Sequence, residues 1–311
     1  IDRARHRAEL VIDVLGIRHG HDLPECRVPL TRSTSGLSDP APMKPTGSYD
    51  GKDGPMGDTD PAGFYTGIVV DVYGPLRGSV PDPRVYARFI GKWGEPALEL
   101  GCGAGDPLLT LRADGLDVEG LDSSADMLSK LRRTAAERGI DVTVHHAPIE
   151  EMDLARAYRS VFLAGPTFNL IADDATAGRA LERIRAHLDP AGAVLIPLFI
   201  PEPVPEHHLG FVREHIDESG RILRVSATAT ERDETSRRQI TTLRYEVVDG
   251  PVAQVVERPW VLHWHTQPGF RGLAEQVGLR VEGILGSDGS RAAPDASEFG
   301  FVLRRADSSV R

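Results

Sequence analysis

Glu99, Gly101, Gly103 and Gly105 stand at alternate positions just after an apolar run beginning at Ala97, and Asp122 follows the last of them by seventeen residues. Glycine at alternate positions lets backbone approach a ligand at a distance that a Cβ would block. A carboxylate at the tip of the next strand can accept hydrogen bonds from both hydroxyls of a ribose. Together these residues read as half of a site for an adenosine-containing cofactor. A dinucleotide site asks for a third glycine where this chain has Asp106, and a carboxylate there repels a pyrophosphate. A cofactor with no phosphate and a cationic amino-acid arm suits the pattern better. S-adenosylmethionine is such a molecule, and its ammonium and sulfonium can be met by carboxylates and backbone carbonyls.

A second candidate group lies far along the chain. His263 and His265 flank Trp264 on an expected strand, so both project to one face, where either is a candidate base for a hydroxyl or ammonium nucleophile. No metal centre is expected: His207 and His208 sit in a Pro-rich turn without ligand spacing. Cys102 has no neighbour in sequence that would lower its pKa.

The elements that must position these residues follow from periodicity. Pro83 to Ile90 carries an apolar helical face. From Ala97 strands and helices alternate: strands at 97–99, 116–121, 142–145, 160–164 and 193–200, with helices between. The helix after Asp122 is expected to open at Ser123 and to end at Gly139. The next carries Ala177, Leu181, Ile184 and Leu188 on one face, with Pro190 and Gly192 breaking it. Alternation with near-continuous apolar strands predicts a doubly wound, mostly parallel α/β sheet. Beyond it, 221–230, 239–248 and 253–265 read as antiparallel strands, the last two joined at Asp249-Gly250. A last helix at 268–277 and strands at 280–285 and 298–303 return to the main sheet. The stretch 31–62 is rich in Gly, Pro, Ser, Asp and Thr and reads as linker-like, after a short helix expected within 1–20.

Residues 97–200 resemble the class I S-adenosylmethionine-dependent methyltransferases. Glu99-Leu100-Gly101-Cys102-Gly103-Ala104-Gly105 matches their first motif, Asp122 matches their ribose acid, and His187-Leu188-Asp189-Pro190-Ala191-Gly192-Ala193-Val194-Leu195 is similar to their entry into strand five. The resemblance implies a Rossmann-like seven-stranded sheet with S-adenosylmethionine held by Glu99, Gly101, Cys102, Gly103, Gly105, Asp122, Ser123, Met127, Pro148, Ile149 and Ala164, and covered by Tyr65 or Tyr73. Ser123 also reads as a helix cap. Pro148 replaces an acid that the family often uses for adenine; Ile149 remains to pack on the ring, and Glu150 is a substitute for the acid. The β-rich segment ending in Trp260-Val261-Leu262-His263-Trp264-His265-Thr266 is similar to bacterial small-molecule methyltransferases, nearest to those that N-methylate amino sugars. In that subgroup an aromatic loop follows strand four, as in Gly165-Pro166-Thr167-Phe168-Asn169 here, so Phe168, Asn169 and Trp264 are the expected acceptor residues.

The expected organisation is an N-terminal extension over 1–63, a cofactor-binding α/β domain over 64–200 and 266–306, and an antiparallel β-rich insertion over 201–265 covering the substrate site. The expected reaction is direct in-line transfer of a methyl group to a nitrogen or oxygen of a small metabolite. An NAD(P)-dependent oxidoreductase and a non-catalytic S-adenosylmethionine-binding protein are the alternatives. With 36 Lys and Arg against 46 Asp and Glu the chain carries net charge −10, and it lacks an Asn/Asp-Pro-Pro-Tyr motif after strand four. Both argue against a nucleic-acid partner. No apolar run approaches the roughly 20 residues of a membrane helix, and Cys26 and Cys102 make no disulfide framework. A reducing cytoplasm is the expected location, with pairing of two copies through the β-rich insertion as a possible assembly.

Overall fold

The computed structural model describes residues 61–77 and 80–306. The expected helix within 1–20, the linker-like stretch to residue 60 and Cys26 lie outside the described residues. Two short helices open the description, α1 (Pro61–Phe64) and α2 (Ile68–Leu76), followed by α3 (Pro83–Trp93). Asp82 caps α3 by accepting from the Arg84 amide, with Pro83 in the first turn.

The central sheet is built from β1 (Ala97–Leu100), β2 (Val118–Asp122), β3 (Val144–His146), β4 (Tyr158–Leu163) and β5 (Leu188–Phe199). Later β10 (Leu279–Leu285) and β11 (Glu298–Arg305) join it. Helices α4 (Leu108–Ala113), α5 (Ala125–Arg138), α6 (Asp174–His187) and α7 (Gln267–Gln276) lie between the strands. The seven strands run in the order β10-β11-β5-β4-β1-β2-β3, and β11 alone runs antiparallel to its two neighbours. One face buries Leu98, Leu100, Val161 and Ile196 with α6 and α7; the other buries Ala97, Val118 and Phe162 with α3, α4 and α5. Coverage on both faces explains the continuous apolar strands. Switching strand order at β1 gathers the carboxyl ends of β1, β2 and β4 at one crevice.

A second, four-stranded antiparallel sheet runs β6 (Val212–Ile216), β7 (Ile222–Asp233), β8 (Arg238–Asp249) and β9 (Val252–His263). The Asp249-Gly250 hairpin joins β8 to β9 as the turn chemistry predicts. β6 escapes the pattern reading because it is a short edge strand with no buried face. Among the described residues no helix is long and apolar enough to cross a membrane.

Three local readings need correction. The helix-opening cap is Ser124, whose hydroxyl accepts from the Met127 amide, and not Ser123; the chain leaves β2 one residue later than the pattern implied. Leu188 belongs to β5 and not to α6, and Pro190 and Gly192 sit in an irregularity where β5 pairs with β4. A Cβ on Gly192 would meet the Arg159 carbonyl at 2.7 Å, so the bulge needs glycine there. Finally, the stretch 64–93, which reads as one helical cover, divides: α3 packs its apolar face on the α/β core, whereas Phe64, Val69 and Val72 of the α1–α2 segment pack into the second sheet against Leu223, Leu243, Tyr245 and Trp260.

Gly120 lies opposite Glu99 in the β1–β2 pairing. A Cβ there would meet Leu108 Cδ2 at 2.6 Å and Cys102 Sγ at 2.8 Å, so its bareness seats both α4 and the glycine turn on β2. Gly120→Ala is therefore expected to destabilise the fold by about 1–3 kcal/mol through overpacking. Urea unfolding followed by circular dichroism measures this, and an unchanged midpoint would refute the packing argument.

Candidate active site

The glycine turn is shaped by left-handed backbone at Gly101, Gly103 and Gly105, with φ of 69°, 51° and 103°. The Gly101 and Cys102 amides donate to the Leu121 carbonyl at 2.7 and 3.0 Å, which ties the turn to β2. A Cβ on Gly103 would meet no protein atom within 4 Å, so this glycine faces open space. One on Gly101 would strike Thr167 at 2.5 Å and one on Gly105 would strike Leu109 at 2.8 Å, so those two glycines are required by packing as well as by φ.

Asp122 ends β2 and is oriented by two amides: Gly103 N–H donates to Oδ2 at 2.7 Å and Ser124 N–H to Oδ1 at 2.8 Å. Burial nonetheless raises its pKa against the lowering effect of those amides. Glu99 is fully buried, and neither carboxylate oxygen has a donor in hydrogen-bonding geometry. Its pKa is pushed well up, first by burial and then by the charges of Asp106 and Asp122; the Leu108 amide is the weakest influence and acts the other way. Asp106 differs from Glu99 in having a cation, with Arg77 Nη2 at 2.5 Å. Cys102 is buried and its thiol is raised well above the usual range by burial and by Asp122 and Glu99, so it stays protonated.

A roof stands over this end of the sheet. The Ser124 hydroxyl donates to the Tyr65 carbonyl at 2.6 Å, Gly67 N–H donates to Asp126 at 2.8 Å, and Lys130 donates to the Val70 carbonyl at 3.0 Å. These bonds latch the α1–α2 segment onto α5. The Tyr65 and Tyr73 rings meet edge-on at 5.3 Å, and Phe64 meets Tyr245 of β8 at 6.1 Å. Burial raises both phenols, with Asp122 contributing to each, so both sit near Asp122 as protonated groups. Sequence reading named Tyr65 and Tyr73 but missed Tyr245, Trp260 and Arg77, which come together only through tertiary packing.

The remaining expected residues divide. Met127 is buried on α5, Pro148 and Ile149 follow β3, and Ala164 follows β4, all toward the carboxyl edge. Ser123 contributes its carbonyl to His146 at 3.0 Å. The expected acceptor residues Phe168, Asn169 and Trp264 are buried and engaged inside the protein. Phe168 is fully buried edge-on to Phe270 at 5.3 Å. The Asn169 amide donates to the Phe199 and His263 carbonyls at 2.9 and 3.1 Å, and the Phe199 amide donates to its oxygen. Trp264 lies under the Arg232 guanidinium at 4.1 Å. Asn169 thereby joins the loop after β4 to the end of β9.

His263 and His265 do come together, with ring centroids 4.6 Å apart, but both are buried beside Asp174 and not displayed on an open strand face. Burial lowers the pKa of His263, and burial followed by the neighbouring His263 brings His265 down to about 3. Asp174 was not singled out from the sequence, where it reads as an ordinary first-turn acid.

Residues 97–192 match the family described as methyltransferase domain. A curated dTDP-3-amino-3,6-dideoxy-α-D-glucopyranose N,N-dimethyltransferase from Streptomyces fradiae is 33% identical over 141 residues, which cover 44% of this chain and 52% of that one. A second, dTDP-3-amino-3,4,6-trideoxy-α-D-glucopyranose N,N-dimethyltransferase from Streptomyces venezuelae, is 28% identical over 106 residues, 34% of this chain and 43% of that one. The chain thus spans about half the length of the curated relatives it matches. Among solved structures, the CcbJ methyltransferase from Streptomyces caelestis superposes with TM-score 0.62 at 22% identity, over 76% of this chain and 96% of that one. Residues 97–192 are thus similar to a methyltransferase domain, and the chain has the fold of the CcbJ methyltransferase.

Domains of this class take S-adenosylmethionine, and the residues present fit it. Glu99 is a buried carboxylate without a donor, Asp122 is held in place by two amides, and Gly103 leaves room for close approach. A cation beside Glu99 would restore the charged form that burial disfavours. The sign of the pH effect follows. Glu99 has a raised pKa in the folded protein, so it contributes stability below its unfolded pKa and loses it as pH rises through the folded value. Glu99→Gln should raise the melting temperature of the ligand-free protein on the alkaline side of that window, with the difference closing as pH falls. Calorimetric scans across pH check this, and a variant that melts lower than wild type throughout would count against it.

Proposed function

We propose that the protein N-methylates an amino sugar or a closely similar small amine, using S-adenosylmethionine. The observation that carries the reading is the unpaired, buried Glu99 carboxylate beside the glycine turn, roofed by the α1–α2 segment and the second sheet. The sugar dimethyltransferases that are 33% and 28% identical over 141 and 106 residues support the choice of nitrogen and of a sugar. When bound, the cofactor supplies a methyl group already activated by a sulfonium. Glu99 would hold the cationic amino-acid arm, Asp122 would accept from the ribose, and Ile149 would pack on the adenine.

Methyl transfer needs the nucleophile in line and free of water, and orientation alone can supply about 7–11 kcal/mol of barrier lowering. Tyr65 and Tyr73 keep their protons because burial raises both, so they act as donors and as apolar walls, not as bases. A neutral amine needs no base to attack; the proton it sheds afterwards leaves to solvent. The reading makes the protein a soluble biosynthetic enzyme of the cytoplasm, with a small-molecule acceptor.

The test is release of S-adenosylhomocysteine with nucleotide-linked amino sugars and with their hydroxyl counterparts. Turnover is expected with the amines alone. Asp122→Asn should fold and weaken the cofactor by about 10–100-fold, the range for losing a hydrogen bond to a charged group. No product from any amine, or equal turnover of the hydroxyl compounds, would overturn the reading.

A further inference from the structure

The buried pair of histidines has a use that methyl transfer does not require. Asp174 opens α6, His263 ends β9, and His265 lies in the link to α7, so three elements distant in sequence meet at one point. His263 Nε2 lies 3.5 Å and His265 Nδ1 lies 3.6 Å from Asp174 Oδ1, and one ligand atom from each of the three falls within 4.8 Å of the others. These separations are too long for good hydrogen bonds. The two distances from Asp174 lie close to the roughly 3.3–3.4 Å expected between neighbouring ligands of a tetrahedral ion with bonds of about 2.0–2.1 Å.

The polar atoms of the cluster are otherwise idle. His265 is fully buried with both ring nitrogens unpartnered, and Asp174 Oδ1 is buried without a donor. Such groups are disfavoured unless something meets them. The other carboxylate oxygen, Asp174 Oδ2, is taken by the Arg237 guanidinium. Ligating carboxylates are characteristically held by such an outer partner. Arg237 is itself unusual: among the described residues it is the one non-glycine with positive φ, at 54°. Its carbonyl accepts from the Trp264 amide at 3.0 Å, bracing the segment between the two histidines.

We propose that Asp174, His263 and His265 form a binding site for a divalent transition-metal ion, Zn²⁺ first among them. Two imidazoles and one carboxylate suit zinc and its neighbours; magnesium and calcium want oxygen ligands throughout. Bound there, the ion is a clamp. It fastens the second sheet to the start of α6 and the approach to α7, next to Asn169, which bonds the His263 carbonyl. Asp174 is the half-exposed member of the cluster, beside two buried histidines. The site is independent of the methyl-transfer reading.

The experiment uses the full chain, stripped with a chelator and titrated with Zn²⁺ against a chromophoric competitor. One equivalent is expected to bind, and the melting temperature is expected to rise with zinc. His263→Ala and His265→Ala should each lose at least the roughly 10–100-fold in affinity expected for Arg237→Ala, which removes only an outer partner. Two other groups of histidine and cysteine side chains serve as controls: His207→Ala with His208→Ala, and His19→Ala with His21→Ala and Cys26→Ser. Both combinations should leave binding unchanged. Should the histidine variants fail to fold by circular dichroism, X-ray absorption on the zinc-loaded wild type decides: a shell of nitrogen and oxygen with two imidazoles supports the site. Absence of stoichiometric binding, loss of it in either control, unchanged affinity in the folded histidine variants, or sulfur in the shell would each overturn it.

Discussion

Three carboxylates converge where β1 and β2 end, and the way each is held governs the architecture around it. Asp106 has Arg77, Asp122 has two backbone amides, and Glu99 has neither. Burial raises the pKa of Glu99, and the charges of Asp106 and Asp122 raise it further. Such an arrangement is unfavourable for the fold alone. It becomes sensible when a cation belongs beside it, as the ammonium and sulfonium of S-adenosylmethionine would. The left-handed glycines, the bare Cα of Gly120 and the amides aimed at Asp122 all serve to hold these acids in a tight space.

The roof follows from the same constraint. A cationic ligand gains most from buried carboxylates when water is excluded, because a lower dielectric strengthens the attraction. The α1–α2 segment provides that exclusion while packing its apolar side chains into a different sheet from the one it covers. Its polar latches to α5 use the Tyr65 and Val70 carbonyls and the Gly67 amide. Each such bond is worth only about 0.5–1.5 kcal/mol net. The apolar packing into the second sheet therefore dominates the stability of the segment, and the latches fix its position over the site.

Local backbone chemistry was readable from the sequence, and tertiary company was not. The glycine turn, Asp122 and the Gly139 helix stop announce themselves because their roles depend on φ or on a neighbour in sequence. The Pro190–Gly192 irregularity reads identically as a helix stop or as a bulge, since both exploit the same residues. Phe168, Asn169 and Trp264 were assigned to an acceptor because they lie in the right segments. The structure spends them on packing, because an aromatic loop next to a second sheet finds partners within the protein before it finds a ligand. Asp174 carries no sequence signal at all: an acid in the first turn of a helix is ordinary, and only β9 arriving beside it makes it notable.

The second sheet meets the core along two seams. One is the aromatic seam through Phe64, Tyr65 and Tyr245, and the other runs through Asn169, Arg237 and the His263-Trp264-His265 segment. This division separates two demands. Cofactor geometry depends on backbone angles and buried acids of the α/β core, which tolerate little change. On the proposed reading, acceptor shape would depend on side chains of the second sheet. A catalyst that works by orientation needs the second part to be as rigid as the first, and the interlocking hydrogen bonds of Asn169 and Arg237 with the end of β9 supply that rigidity where the chain crosses from one sheet to the other.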